Sequence, residues 1–200
     1  MLFFSKLYNI IFYKDGDDMD KRILRTKKKL TNTLLTTLKS KKVKDITVLD
    51  LCKDANINRT TFYKYYKDID DLLYKIEESL IAELEKNIND IKRNYLLSYT
   101  TIIIETINNH KEIYTRLISE NGDHNFLKRI LYLVHDQSIE EWRKLLKKAT
   151  EVDLDNIYNF IVDGTIGIIE SWIKKDCKEE CQNILIFINK ICMSGLSSYI

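Results

Sequence analysis

The sequence predicts an all-helical protein. Its 200 residues include no proline and only five glycines, so little interrupts long helices. Apolar residues recur along most of the chain at the i, i+3, i+4, i+7 spacing of amphipathic helices. Asn121-Gly122 lies between two helical patterns and does not join alternating strand-like runs. A hydrophobic fraction of 44% is sufficient for a buried core in one or two domains.

Two short helices and a tight turn are predicted near the N-terminus. The first helix runs from about Arg25 to Leu38. The second follows Thr47, whose hydroxyl suits an N-cap and pairs with Asp50 three residues later. Its apolar face consists of Val48, Leu51, Cys52 and Ala55. Asn56-Ile57-Asn58 then breaks the periodicity and predicts a turn, because asparagine tolerates the left-handed backbone region, with Ile57 plugging the space between the helices.

A third helix, opening at Arg59 or Thr60, is predicted to contact DNA. Phe62 and Tyr66, four residues apart, face inward. The opposite surface then carries guanidinium, hydroxyl, phenol and ammonium groups, which are donors for phosphates and base edges. A helix, a tight turn and such a second helix form the layout of a helix-turn-helix reader of the major groove. The DNA-binding candidates are Thr47, Arg59, Thr60, Thr61, Tyr63, Lys64, Tyr65 and Lys67.

The charge distribution supports this interpretation. From Lys21 to Lys67 there are 14 Lys/Arg and 3 Asp/Glu, a net charge of +11, whereas residues 68–200 have a net charge of −7. Such asymmetry is typical of a domain that displaces counterions from nucleic acid. A solvated surface helix of an ordinary bundle, which is the alternative, would mix the two signs. We therefore expect double-stranded DNA as a partner.

The rest of the chain is predicted to be helical as well. A long amphipathic helix begins at Ile69 or Asp70 and continues to about Asn94, with aspartates in its first turn, where they complement the helix dipole. Breaks with caps are predicted at Asn121-Gly122-Asp123 and at residues 150–153. The further helices cover roughly Leu97–Asn108, Lys111–Ser119, His124–Ala149, Asp153–Lys174 and Glu179–Ser198.

No catalytic residue, metal site or cofactor is predicted. The chain has no phosphate-binding glycine loop, nucleophile elbow or HExxH sequence, and His110, His124 and His135 are scattered. The four cysteines do not form a disulfide framework, and Cys177 and Cys181 lack two further ligands at a usual zinc spacing. We expect a protein that is not an enzyme, in a reducing cytoplasm.

Residues Thr47–Leu73, TVLDLCKDANINRTTFYKYYKDIDDLL, resemble the DNA-binding domain of the TetR family of transcriptional regulators. The core of the match is Ile57–Lys67, followed by Asp70-Asp71-Leu72-Leu73 in a T-x-Y-x-x-Y/F-K…(D/E)-L-L spacing. The resemblance implies a homodimeric, ligand-responsive regulator, most often a repressor. Its two recognition helices would enter successive major grooves about 34–36 Å apart on a pseudo-palindromic operator. One departure is Ile69, where family members often have a phosphate-facing lysine.

The chain from Asn121 to Ile200 resembles, more weakly, the C-terminal dimerisation helices of this family. Ile157–Trp172 is largely apolar and contains Gly164 and Gly167, three residues apart, which suggests close approach of another group. An intramolecular helix, a subunit interface or a ligand would each explain these glycines. A plain intramolecular core is the alternative to a dimer. The predicted interface residues are Ile157, Ile161, Gly164, Ile168, Ile184, Ile188 and Ile191.

The resemblance also implies a small-molecule effector between the helices of the C-terminal domain, which acts on the recognition helices through the long helix. Such a pocket is mostly apolar with a few polar groups. The candidates, each equally explained as plain core, are Tyr95, Tyr99, Tyr114, Phe126, Trp142 and Trp172. The alternative function is a TetR-like co-regulator that binds a protein partner and has weak or no DNA binding. The sequence does not specify the effector, the operator or the sign of regulation.

Three segments are predicted: an extension over residues 1–18, a helix-turn-helix DNA-binding domain over 19–68, and a helical ligand-binding and dimerisation domain over 69–200. Leu2–Tyr13 is apolar and aromatic, but it is too short to span a bilayer and has no small-residue cleavage site. A misassigned start or a frayed extension is favoured over a functional arm or an amphipathic anchor, because MDKRILRTKKKL from Met19 resembles a common start in this family.

The first testable prediction is that the residues before Met19 are dispensable. A chain beginning at Met19 should fold and bind DNA with the affinity of the full chain, because Leu2–Tyr13 fits no folded pattern. Circular dichroism and a DNA titration measure the two properties. Loss of folding, or a tenfold loss of affinity, would instead identify the extension as a structural element or a DNA-binding arm.

Overall fold

The computed structural model describes residues 21–89, 97–123 and 125–200. The regular elements of these residues are all helical, which confirms the predicted fold class. Two single 3₁₀ turns, Val43–Asp45 and Ser197–Tyr199, accompany the α-helices. The α-helices are α1 (Lys21–Thr37), α2 (Val48–Ala55), α3 (Arg59–Tyr63), α4 (Ile69–Asn89), α5 (Ser98–Asn109), α6 (Lys111–Leu117), α7 (Phe126–Tyr132), α8 (His135–Leu145), α9 (Glu151–Lys174) and α10 (Cys181–Leu196).

One predicted helix was wrong. The segment His124–Ala149 forms two helices, α7 and α8, within its described part. The backbone of Val134 leaves the helical region at φ −111° and ψ 15°, and its side chain is buried. Helix α8 then ends at Leu145, and the Lys148 N–H donates to the Tyr199 carbonyl (3.0 Å). A bond between residues so far apart in sequence competes with helix continuation, and local periodicity gives no sign of it.

The other helix ends agree with the sequence to within a few residues. Helix α1 already includes Lys21, four residues before the predicted start. Lysine and arginine are good helix formers, so they extend the helix beyond the apolar stripe from which its start was predicted. Helix α4 is described to Asn89, so its predicted end near Asn94 lies outside the described residues. At the start of α9, Thr150 and Asp153 form the reciprocal bonds of a capping box.

The described residues divide into two compact units. Of the described residues, the first unit contains 21–83 and the segment Arg116–Asp123, and the second contains the others. The predicted domain boundary after residue 68 stays a prediction. The two units are defined by contacts within the chain, whereas a domain boundary concerns which segments fold independently. The buried side chains of the first unit include Leu30, Leu34, Leu35, Leu38, Leu51, Phe62, Leu72, Ile76 and Leu80.

Segment Arg116–Asp123 belongs to the first unit through hydrogen bonds to the end of α1. The Arg116 guanidinium donates to the Leu35 carbonyl (3.0 Å), and the Asn121 side-chain amide donates to the Leu38 carbonyl (3.0 Å). The Val43 N–H donates to the Asn121 carbonyl (2.9 Å). The last carbonyls of a helix have no hydrogen-bond partner within it. Donors from this segment satisfy carbonyls at the end of α1 in place of a C-terminal glycine cap.

The second unit is built around buried apolar and aromatic side chains of α5 and α7–α10. Tyr114 stacks on Phe126 with ring centres 5.9 Å apart, and the Tyr158 hydroxyl donates to the Leu131 carbonyl (2.6 Å). The Trp172 indole N–H donates to the Glu179 carbonyl (2.9 Å), closing the turn between α9 and α10. None of the described helices has both the length and the apolar character needed to cross a bilayer.

The second testable prediction concerns Gly122. A Cβ on this residue would lie 2.1 Å from the Leu117 carbonyl oxygen and 2.7 Å from that of Arg116. We expect Gly122→Ala to lower the free energy of unfolding by about 1–3 kcal/mol, since the backbone must shift to relieve the overlap. The control is Gly195→Ala inside α10, where a Cβ meets no atom within 4 Å and should stabilise the helix by about 0.5–1 kcal/mol. Urea denaturation measures both, and equal effects would contradict the prediction.

Candidate nucleic-acid interface

Three side-chain and backbone devices define α2, the turn and α3. The Thr47 hydroxyl accepts from the Asp50 N–H (3.1 Å) and donates to the Asp50 carboxylate (2.8 Å), as the predicted N-cap requires. Asn56 adopts φ 51° and ψ 52°, which confirms the predicted left-handed turn residue. The Asn58 side-chain oxygen accepts from the Thr60 N–H (2.9 Å) and caps α3. The sequence analysis did not identify this second cap, although an asparagine immediately before a helix is its usual signal.

The inward faces of α2 and α3 pack as the periodicity predicts. Leu51, Cys52, Phe62 and Tyr66 are buried. The Phe62 and Tyr66 rings lie 5.6 Å apart, centre to centre. Ile57, predicted to plug the space between the helices, is half-buried, and its N–H donates to the Cys52 carbonyl (2.9 Å). The orientation of α3 is therefore fixed by Phe62 and by Tyr66, which lies just beyond the end of the helix.

The outward face of α3 brings together four of the predicted DNA-binding residues. Arg59, Thr60, Tyr63 and Lys64 are exposed and line one shallow, open depression. Half of the Tyr63 side chain is accessible (51%), and its ring packs edge-on against Phe62. Charged and hydroxyl donors thus project from a helix whose other side is anchored in the core.

Three other candidates have structural contacts of their own. The hydrogen of the Thr47 hydroxyl points to Asp50, so in this arrangement Thr47 has no hydrogen to donate to a phosphate. Tyr65 is half-buried, and the Lys27 ammonium lies 5.8 Å from its ring centre. Thr61 is half-buried as well, whereas Lys67 is exposed. These positions leave Arg59, Thr60, Tyr63, Lys64 and Lys67 as the accessible part of the predicted set.

Local contacts stabilise the charged form of the Asp50 carboxylate in the first turn of α2. The hydrogen bond from Thr47 is the main cause of a lowered pKa at Asp50, and the Lys41 ammonium, 3.5 Å away, contributes as well. Ile69, which occupies the position where related sequences often have lysine, is buried. Its side chain is part of the core, so the basic groups available on this face come from α3 and the residues just after it.

The effector candidates do not share one site. Tyr99 and Trp142 line a narrow cavity of about 20 Å³ in the second unit, together with Tyr158, Thr165 and apolar side chains. Tyr114 and Phe126 are instead fully buried partners in a stacked pair. Trp172 lies at the turn between α9 and α10 and lines a different, open groove with Gly164, Gly167 and Phe187. Tyr95 lies outside the described residues.

The interface candidates divide according to burial within one protomer. Ile161, Ile184 and Ile188 are already buried, so they belong to the intramolecular core. Ile157 and Ile168 are half-buried, and Gly164 and Ile191 are exposed. The exposed apolar surface of α9 and α10 also contains residues outside the predicted interface. They are Val152, Phe160, Ile186, Phe187 and Met193.

The cysteines are free thiols. Burial raises the pKa of the Cys52, Cys177, Cys181 and Cys192 thiols. Among the residues that the structure describes, no group of three or more His, Cys, Asp or Glu side chains is arranged to hold a metal ion.

This chain is similar to known transcriptional regulators in both sequence and fold. Residues 94–194 match the family model described as the transcriptional regulator C-terminal region, of the TetR type. The fold is similar to that of the fatty acid degradation regulator FadR from Bacillus halodurans, with a TM-score of 0.63 and 15% identity over 92% of this chain and 98% of that chain. No curated protein sequence matches the chain. Since the family model covers half of the sequence, the chain belongs to the TetR family of transcriptional regulators.

Proposed function

We propose that this protein is a homodimeric transcriptional repressor that binds a palindromic operator and responds to a small-molecule effector. The observation that carries the proposal is the outward face of α3, where Arg59, Thr60, Tyr63 and Lys64 line one open depression. This face lies in the chain segment with a net charge of +11. Donor groups on a capped, anchored helix within a basic segment are suited to enter a major groove.

The proposed contacts divide into two kinds. Arg59, Thr60 and Lys64 are exposed near the start of α3 or on its outward side, where the recognition helix of this motif meets base edges. Thr61, which is half-buried, is proposed to reach a base only at the edge of this contact. Tyr63 and Lys67 are proposed to hold phosphates, which position the protein without reading sequence. Two such helices, one from each protomer, would meet half-sites about 34–36 Å apart.

Dimerisation is proposed to use the outward surfaces of α9 and α10. Phe160 is 76% exposed, and Ile186, Phe187 and Ile191 are each more than half exposed. A Cβ placed on Gly164 would meet no atom of the described residues within 4 Å outside its own helical turn, as is also true of Gly167. No neighbouring element among the described residues therefore requires a glycine here, which favours a partner over the intramolecular alternative. Large exposed apolar patches usually mark interfaces, and two-fold pairing would cover this one.

The effector is proposed to enter the second unit at the cavity lined by Tyr99, Trp142 and Tyr158. Two segments are candidates for transmitting its binding. Helix α4 begins just after the recognition helix and contributes residues to both compact units. Segment Arg116–Asp123 begins in the last turn of α6 and is hydrogen-bonded to the end of α1. A shift of either segment would change the position in which α3 meets the DNA.

The third testable prediction separates base contacts from phosphate contacts. Arg59→Ala should lose roughly 1–3 kcal/mol of operator binding and relax specificity at one position, because a base-reading side chain is removed. Lys67→Ala should weaken binding to all sequences alike and flatten the salt dependence by about one unit per site. Fluorescence anisotropy with operator and scrambled duplexes, titrated at several salt concentrations, measures both effects.

The control for these variants is Lys147→Ala, an exposed lysine of the second unit, which should leave DNA binding unchanged. The operator can be obtained by sequencing the genomic fragments that the purified protein retains. Unchanged operator affinity in both Arg59→Ala and Lys67→Ala would remove α3 from the interface. Absence of salt-dependent DNA binding by the unaltered protein would instead favour a co-regulator that acts through a protein partner.

The fourth testable prediction concerns the dimer. Gly164→Glu should produce monomers, because a charged side chain would be buried in an apolar interface, and operator binding should fall by about 100-fold when two half-site contacts no longer act together. Lys147→Glu, on an exposed residue in the segment before the same helix, is the control and should leave the protein dimeric. Light scattering at micromolar concentration measures the mass. Monomeric unaltered protein with intact specific DNA binding would refute the proposed assembly.

A further inference from the structure

A cluster of hydrogen bonds joins the chain after α3 to the first turns of α4. The Asp71 carboxylate accepts from the Lys67 backbone N–H (2.9 Å) and from the Lys75 ammonium (3.0 Å). The same ammonium donates to the Tyr65 carbonyl (2.9 Å) and lies 5.2 Å from the centre of the Tyr66 ring. We call Asp71, Lys75 and the backbone groups that they bind the Asp71–Lys75 clamp.

The clamp is more than a solvated surface ion pair. The Asp71 side chain is only 18% exposed, and Lys75 is 51% exposed. Burial alone would raise the pKa of Asp71, but the bonds from Lys67 and Lys75 and the charges of these lysines outweigh it, so the net pKa is lowered. A partly buried carboxylate with two directed donors is held much more firmly than an exposed i, i+4 pair.

The backbone that the clamp holds lies immediately beyond the recognition helix. Helix α3 ends at Tyr63, and its last turn is continued by bonds from the Tyr65 and Tyr66 N–H groups to the Phe62 carbonyl. The clamp binds the Tyr65 carbonyl and the Lys67 N–H, which lie directly after this last turn. Release of these groups would leave the chain between α3 and α4 with fewer constraints.

We propose that Asp71 and Lys75 are positioning residues for DNA binding, which fix the end of the recognition helix and the backbone of Lys67 without touching DNA. The proposal rests on the proposed function. The negatively charged Asp71 carboxylate would thus favour the binding of DNA, which is itself a polyanion. Two directions of the Lys75 ammonium are already occupied by protein oxygens, which favours this role over a phosphate contact.

The proposal predicts an effect opposite in sign to simple electrostatics. Removal of a negative charge from the basic end of a DNA-binding protein should strengthen attraction to phosphates. If Asp71 positions the recognition helix, its neutralisation should weaken binding instead. Asp70, the preceding residue, is exposed and lies in the same first turn of α4. Asp70→Asn therefore makes the same charge change and leaves the Asp71–Lys75 clamp intact.

The experiment compares Asp71→Asn with Asp70→Asn by anisotropy titration against a specific operator duplex. Asp71→Asn should bind about tenfold more weakly than the unaltered protein, the loss expected for a charge-assisted hydrogen bond, and Asp70→Asn should bind equally or more tightly. Lys75→Met should weaken binding with an unchanged salt dependence, whereas Lys67→Ala, which removes a phosphate contact, should flatten it by about one unit.

Each other outcome overturns the proposal. Binding by Asp71→Asn as tight as that of Asp70→Asn would show that the clamp does not position the helix. A flattened salt dependence in Lys75→Met would make Lys75 a phosphate contact. Loss of the native circular dichroism spectrum in both clamp variants would identify the clamp as a general stability element. Failure of the proposed function is distinct, because the unaltered protein itself would then bind no DNA.

Discussion

The candidate DNA surface depends on the burial of two aromatic side chains. Helix α3 has five residues, far fewer than the roughly 12–15 that an isolated helix needs to be even marginally stable in water. It therefore exists because Phe62 and Tyr66 are buried in the first unit and because Asn58 caps its start. Once these contacts fix the helix, its 3.6-residue period determines that Arg59, Thr60, Tyr63 and Lys64 face outward.

The parts of the fold that the sequence predicts are those determined by near neighbours. The Thr47 cap, the left-handed Asn56 and the inward face of α3 involve residues within four positions of one another. The association of Arg116 with Leu35, and of Asn121 with Leu38, joins residues more than 80 positions apart. Such bonds depend on the complete tertiary arrangement, so no local pattern signals them.

For the candidate sites in the C-terminal half, the sequence indicates which types of residue are involved but not which individual residues lie at an interface or a cavity. Helices α9 and α10 are apolar around much of their circumference, so periodicity does not distinguish an isoleucine of the protomer core, such as Ile188, from one on an outer surface, such as Ile191. The same limit applies to aromatic residues. Tyr114 and Tyr99 are equally buried, yet only Tyr99 lines the cavity of the second unit. Burial and shape are three-dimensional properties, and composition determines neither.

The size of that cavity has a consequence for effector kinetics. A volume of about 20 Å³ holds roughly one water molecule, so the proposed effector, if it binds there, would require an opened conformation of these helices. The free energy of opening then reduces the apparent affinity by the fraction of protein that is open. If opening precedes binding, the observed association rate should reach a plateau at high effector concentration, set by the opening rate. The response time of the regulator would then be a property of its own core packing.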